Sequence, residues 1–348
     1  LRVLEPQTRL ERDREAAELV EQHGTAAEAA RQTGIAERTI RERATRYAAV
    51  RAGLADEKDV EYPEFPPDDR PIEEILDAMA ARQRQRAEHA SALHWFPLKM
   101  KRAEPVGIAF VGDPHLGNNG TNIDLVRRDA RLMAETDGVY AVNLGDTVDN
   151  WGGRLVRLYA ENDVSRSTEQ KLARWFLQDS GIRWLLWLLG NHDEMDSGFA
   201  SYLRGMKAPP LPLVEWSAKF RVCFPNGREI RIDAAHNHKG SSMWNNLHGQ
   251  DRASRFDEEA DIYIAGHHHD WGVACKEPYP GRVVHLARAR GYKFLDHYAA
   301  HHQFAEHQFG STILAVIDPR EDVAVRRIRL FPDLKEGCEF LTWKRTNP

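Results

Sequence analysis

The chain is short of cysteine, of long apolar runs and of net charge, and each shortage excludes something. Its three cysteines, Cys223, Cys275 and Cys338, make neither a CxxC pair nor a disulfide framework, so a reducing, cytoplasmic setting is expected. The longest apolar run, Trp184–Leu189, is far below the roughly 20 residues that a membrane-spanning helix needs, so no membrane partner is expected. The opening LRVLEPQTRLERDRE lacks the apolar stretch of a secretory signal, and it lacks an initiator Met, so the start is expected to be processed or incomplete. A formal net charge of -5 over 348 residues rules out a uniformly basic nucleic-acid coat but leaves room for a locally basic face. With 42% hydrophobic and 29% charged residues, the composition is that of an ordinary globular chain, long enough for two domains. No internal repeat appears.

Residues 11 to 52 read as helix, broken at Gly24 and Gly34. The stretch GTAAEAARQTGIAERTIRERATRYAAV places Ala26, Ala29, Ala30, Ile35 and Ile40 where a compact helix pair buries them, the pattern of a helix-turn-helix. Its second helix carries Arg38, Arg41, Arg43, Arg46 and Arg51 against Glu37 and Glu42. The expected organisation is a helical domain over 1–54, then an acidic, proline-rich linker and one polar connecting helix over 55–105. A catalytic domain over 106–335 and a tail over 336–348 follow. From Val106 onward, short apolar runs alternate with helical stretches and later with a hairpin at Pro225–Gly227, which predicts an α/β sandwich of two mixed sheets.

Polar clusters follow the apolar runs in order. GDPHLG (112–117) follows the first, GDTVDN (145–150) the second, GNHDE (190–194) the third, HNH (236–238) the fifth and GHHH (266–269) the sixth. Loops at the carboxyl ends of strands in α/β sheets face a common crevice, so five loops can bring Asp, His and Asn together. One D-x-H or H-x-H would be weak evidence; all five in this order are not.

This order resembles the calcineurin-like metallophosphoesterases, over roughly Val106 to the early 300s. The stretches GDTVDNWGGRL and GNHDE further resemble a phage and prophage subgroup that sits behind a small helical domain. The resemblance implies an α/β/β/α fold and two divalent metals, one held by Asp113, His115 and His269, the other by Asn191, His236 and His267, with Asp146 bridging. Mn²⁺ is the first expectation, and Fe, Zn or Ni suit the same ligands. Residues i and i+2 of an extended segment share a side, so His267 and His269 are expected to coordinate and His268 to point away. His236, first after its strand, is preferred to His238, which is the rival ligand or a substrate contact.

Two such metals lower the pKa of a bridging water and polarise phosphoryl oxygens. His192 is expected to protonate or stabilise the leaving oxygen, oriented by Asp149. Arg154, Trp151, Arg290 and Tyr292 lie beside these motifs as candidate substrate contacts. The histidines at 297, 301, 302 and 307 read as a solvated helix face. Protein phosphatases of the family carry an Arg after the last Asp of G-D-x-x-D; Asn150 stands here, which leaves phosphodiesters open. With a basic helix bearing Arg38, Arg41 and Arg43 set to contact DNA, the expected function is a phosphodiesterase, and specifically a DNA nuclease. The alternatives are an enzyme for small phosphate esters, or a DNA-binding regulator with a relic catalytic fold. The N-terminal helices could also pair between chains.

Overall fold

A computed structural model describes residues 8–52, 70–162, 164–206, 211–257, 259–294 and 309–347. The proline-rich stretch up to Asp69 and the histidines at 297, 301, 302 and 307 lie outside the described residues. The chain divides into two units, Leu1–Met79 and Ala80–Pro348.

In the first unit, local capping sets the helix boundaries. Helix α1 (Arg9–His23) opens on a Thr8–Glu11 capping box, and α2 (Ala26–Thr33) opens on Thr25. Gly34, at φ 73°, closes α2 by returning its N–H to the Ala30 carbonyl, and α3 (Glu37–Arg51) follows. Ala16, Ala29 and Ile40 form the buried centre, with Leu19, Val20, Ala26 and Ala30 packed against it. Ile35 departs from expectation: it sits in the turn and is 38% exposed. Asp13, nearly buried on α1, takes a two-pronged contact from Arg46 of α3 at 2.9 and 2.7 Å. Helix α4 (Ile72–Ala92) buries no residue.

The second unit is built on two six-stranded sheets. One has the order β1 (His94–Lys99), β6 (Ser217–Cys223), β7 (Glu229–Ala235), β8 (Ile262–Ala265), β10 (Arg282–Arg288), β9 (Gly272–Tyr279). The other runs β12 (Ile328–Phe331), β11 (Thr312–Ile317), β2 (Val106–Val111), β3 (Val139–Asn143), β4 (Trp184–Leu189), β5 (Leu213–Glu215). Strands β2, β3, β4 and β5 pair in parallel, while β11 meets β2 antiparallel. Every residue of β2 is buried, as expected of a parallel strand covered on both faces. Between the sheets, Ile108, Phe110, Val142 and Leu186 interlock with Phe220, Ile232 and Ile264. Burying a side chain such as Phe110 contributes about 1.5–3 kcal/mol.

Helices α5 (Ile123–Glu135), α6 (Arg166–Arg174), α7 (Asn191–Glu194) and α8 (Ser197–Gly205) follow strands β2 to β4. The outer face of that sheet packs on Val126, Met133, Phe176 and Leu203, and the other sheet's outer face meets α9 (His248–Phe256) through Ala253, Tyr263 and Leu286. The result is a four-layer α/β/β/α sandwich, the fold that the resemblance implies. Two elements extend the expected boundaries. β1 joins the first sheet before Val106, its Pro97 tolerated because the strand lies at an edge. After the short α10 (Ala324–Arg327), the expected tail forms α11 (Leu334–Thr346), which buries Leu334, Cys338 and Leu341. Among the described residues no helix is long and apolar enough to cross a membrane.

Candidate dinuclear metal centre

The five loops leave the carboxyl ends of β2, β3, β4, β7 and β8, and in those after β2, β3 and β8 the backbone is under strain. Asp113, His115, Asp146, His267 and His269 have φ of 22°, 42°, 52°, 74° and 52°. Left-handed backbone at non-glycine residues persists where the surroundings over-determine it, and it collects at functional sites. Two glycines allow the loops to approach. A Cβ on Gly190 would stand 2.2 Å from Asp146 Oδ1, and one on Gly266 would stand 2.6 Å from Asp113 Oδ1. The carboxylate of Asp193, fully buried, accepts from the main-chain N–H groups of Asp146, Thr147 and Gly190 at 2.8, 3.0 and 2.9 Å, which ties the loops after β3 and β4 together.

Among the described residues, three groups of ligand-type side chains converge, with their ligand atoms within 4.8 Å of one another: Asp113, His115 and His269; His115, Asp146 and His192; Asp146, His236 and His267. Asp146 and His115 are each shared by two groups. His268 is exposed and stands outside them. The alternation of His267 and His269 arises from two left-handed residues rather than from extended strand.

Hydrogen bonds fix which nitrogen each imidazole presents. His236 Nδ1 donates to the Leu144 carbonyl at 2.8 Å, which turns its Nε2 toward Asn191 Oδ1 at 2.9 Å and Asp146 Oδ2 at 3.3 Å. His267 Nδ1 lies 3.0 Å from that same Nε2. His115 Nδ1 stands 2.7 Å from Asp149 Oδ1, which turns its Nε2 inward, where neither it nor Asp113 Oδ1 meets a hydrogen-bond partner. Acceptors facing acceptors in a dry pocket suit positive charge placed among them. Titration points the same way: burial pulls the His236 imidazolium down, yet Asp146 and Asp113 outweigh it and push the group up to about 10. Burial, with the Asp146 charge beside it, pushes Asp113 up to about 7. The donor set of carboxylates, imidazoles and one amide therefore fits divalent cations.

The sequence comparison accords with this geometry. Residues 106–271 match the family described as Calcineurin-like phosphoesterase. These residues form a calcineurin-like phosphoesterase domain. No curated protein matches the chain. Among solved structures, a Vps29 single mutant from Entamoeba histolytica is 14% identical and covers 65% of this chain and 97% of its own, with a TM-score of 0.35. AQ665 from Aquifex aeolicus, titled a protein of unknown function, is 15% identical over 47% of this chain and 78% of its own, at 0.29. GAP50, the anchor in the inner membrane complex of Plasmodium, is 10% identical over 70% and 95%, at 0.32.

Around the ligands of this phosphoesterase domain, the other expected residues divide. His192 belongs to the centre: its N–H donates to Asp146 Oδ1 at 2.9 Å and its ring meets His115 and Trp151 edge-on at 4.8 and 4.7 Å. Asp149 touches it through the main chain, since His192 Nδ1 donates to the Asp149 carbonyl at 2.7 Å. The Asp149 carboxylate serves His115 instead, and it also accepts from Asn118 Nδ2 at 2.5 Å.

Asn150 is buried and donates to the main-chain carbonyls of His192 and Asp193 at 2.8 and 3.4 Å. His238 turns away to Asp233 at 3.2 Å, in a buried pair. Tyr292 points into the helix-side core, bonded to Asp129 and Thr312 at 3.0 and 2.6 Å. Arg290 is buried against Ser311 and the ring of Phe294. Arg154 is exposed on the turn Gly153–Glu161. In the first unit, Arg38 pairs with Glu42 and Arg41 with Glu37 on α3's own surface.

Three residues given no role beforehand matter here. Lys293, one place beyond Tyr292, sets Nζ 3.7 Å from Asp149 Oδ1 and 5.5 Å from the centre of the Trp151 ring. Asn118 and Asp193 are the others, and both sit in or beside motifs that the strand-end reading had marked.

Proposed function

We propose that the chain is a dinuclear-metal-dependent phosphodiesterase, with DNA as the substrate. The supporting observation is the pair of triads flanking Asp146, with His192 alongside and no arginine on the far side of Asp149. Asp113, His115 and His269 would hold one ion and Asn191, His236 and His267 the other, with Asp146 between them. Bound there, divalent ions supply Lewis acidity toward phosphoryl oxygens and a nucleophilic water near neutral pH. The protein's own residues do the rest. Asp149 and the Leu144 carbonyl hold the rings of His115 and His236 so that Nε2 of each faces inward.

Donation from Nδ1 to the Asp149 carbonyl orients His192, and in the imidazolium form, which burial disfavours and the Asp146 charge favours, its Nε2 would pass a proton to the departing oxygen and return to the neutral ring. Lys293 offers its ammonium at the rim, where it would meet a non-bridging phosphate oxygen. The position after Asp149, which would need a guanidinium to clamp a monoester, holds a buried Asn150 engaged with main-chain carbonyls. This favours a substrate esterified on both sides. The three-helix unit, with Arg43 and Arg51 on α3 in addition to the paired Arg38 and Arg41, is the proposed DNA contact.

The test is turnover with Mn²⁺ on single- and double-stranded DNA, bis(p-nitrophenyl) phosphate and p-nitrophenyl phosphate. Diester cleavage abolished by Asp146→Ala supports the reading. His192→Ala should slow DNA cleavage by about 10²–10⁴-fold and slow bis(p-nitrophenyl) phosphate much less, because p-nitrophenolate leaves without a proton. Hydrolysis of the monoester alone would remove the diesterase reading.

A further inference from the structure

Met243 and Trp244 are 89% and 91% exposed, the most open large apolar side chains among the described residues. They form the tip of the loop that runs from His236, a ligand in the reading above, to α9. The loop is pinned at its base. His238 and Leu247 are buried, and Asn246 Nδ2 donates to the Trp271 carbonyl at 2.5 Å, two residues beyond His269. Within it, Trp244 N–H donates to Ser242 Oγ at 3.2 Å and Leu247 N–H to Asn245 Oδ1 at 3.0 Å. An ordered loop that holds an indole and a thioether in water beside a candidate active site marks a contact surface.

Charge narrows the occupant. From Asn237 to Gln250 there is no carboxylate, while Lys239 and His248 are present, so the tip tolerates a polyanion. Chain geometry limits the path from Trp244 through Asn246 and Trp271 to His269 to about 20 Å. That is within the few nucleotides that single-strand binding surfaces span. A base inside a duplex has both faces covered; an unpaired base offers one to an indole.

We propose that the Met243–Trp244 tip is a stacking platform for an unpaired base of the nucleic-acid strand whose phosphate lies at the metal centre. The substrate is then single-stranded or frayed near the cut. This rests on the phosphodiesterase reading and adds to it the part of the substrate that is recognised beyond the phosphate.

The experiment uses the full chain with Mn²⁺, a labelled dT decamer and an abasic decamer of equal charge, both with phosphorothioate linkages to slow cleavage, followed by anisotropy. Stacking of one base predicts about tenfold tighter binding of the dT decamer. In Trp244→Ala this advantage should vanish, and Trp244→Phe should keep most of it. The same variant should lose about tenfold in kcat/KM on single-stranded DNA relative to its own value on bis(p-nitrophenyl) phosphate. Equal binding of both decamers by the wild type, an equal loss on both in Trp244→Ala, or an affinity unchanged within twofold would overturn the platform. So would a change in molecular mass on substitution with no change in affinity, the sign of a chain–chain contact. Failure of the wild type to hydrolyse any diester would instead remove the parent reading, while the comparison of decamers still decides the platform.

Discussion

Asp149→Asn separates two roles that one residue plays. The substitution keeps the main-chain carbonyl that orients His192 and removes the charge to which His115 and Asn118 both donate. An amide accepts on one side only, so of the donors at 2.7 and 2.5 Å one must face an NH₂ group. Lys293, 3.7 Å away, loses its counter-charge as well. A hydrogen bond to a charged partner contributes about 1.5–3 kcal/mol, and weakening the support of a metal-bound imidazole lowers metal affinity about 10–100-fold. The expected outcome is a Mn²⁺ affinity down by about 10–100-fold for the ion on the Asp113, His115 and His269 side, with a smaller change at the other. Titration calorimetry on metal-stripped protein resolves the two. An unchanged dissociation constant for both ions, with activity lost through a displaced pH profile, would refute the reasoning and put the carboxylate on His192.

Gly190→Ala places a methyl 2.2 Å from Asp146 Oδ1 and 2.7 Å from both the Asp146 main-chain nitrogen and His236 Cε1; Mn²⁺ binding and turnover should both be lost while the far-UV spectrum stays native. Because the carboxylates hold His236 up to about 10 despite burial, metal entry must displace its proton. Calorimetry in two buffers of different ionisation enthalpy should report at least one proton released per chain at pH 7, and affinity should rise with pH.

His285 gives a stability effect remote from the centre. Burial lowers it from 6.5 to about 4, so the unfolded chain binds the proton and the folded chain does not between those values. Stability is full above pH 6.5 and falls by about 3 kcal/mol as pH drops toward 4. Urea denaturation of His285→Leu should show that pH slope reduced. Triple substitution of Arg38, Arg41 and Arg43 by Glu should weaken duplex DNA binding and flatten its salt dependence without touching bis(p-nitrophenyl) phosphate turnover.

How much of this could be read from residues alone depended on the kind of information each position carries. The strand-end clusters were legible because an apolar run followed by Asp, His and Asn encodes both a buried strand and the crevice that it opens into. The outward turn of His268 was anticipated, although left-handed backbone at its neighbours produces it. Atom-level roles were not legible. Nothing in the letters distinguishes a carboxylate from a carbonyl of Asp149, and that choice decides whether its charge serves His115 or His192. Phase mattered too: Tyr292 and Lys293 differ by one position, and the first enters the core while the second reaches the site. Ile35 looked like core by spacing, but the left-handed Gly34 turns the chain so that it faces water. The final helix was overlooked although Leu334, Cys338 and Leu341 recur at helical spacing; β1 was overlooked because it is short and contains Pro97.

The most direct test is a count of ions against catalysis in one titration. Metal-stripped protein should take up two Mn²⁺ per chain, with bis(p-nitrophenyl) phosphate hydrolysis rising as they bind, and Asp146→Ala should lose both together. Saturating Mn²⁺ with no ion bound, or an Asp146→Ala chain that still binds two and still turns over, would contradict the account.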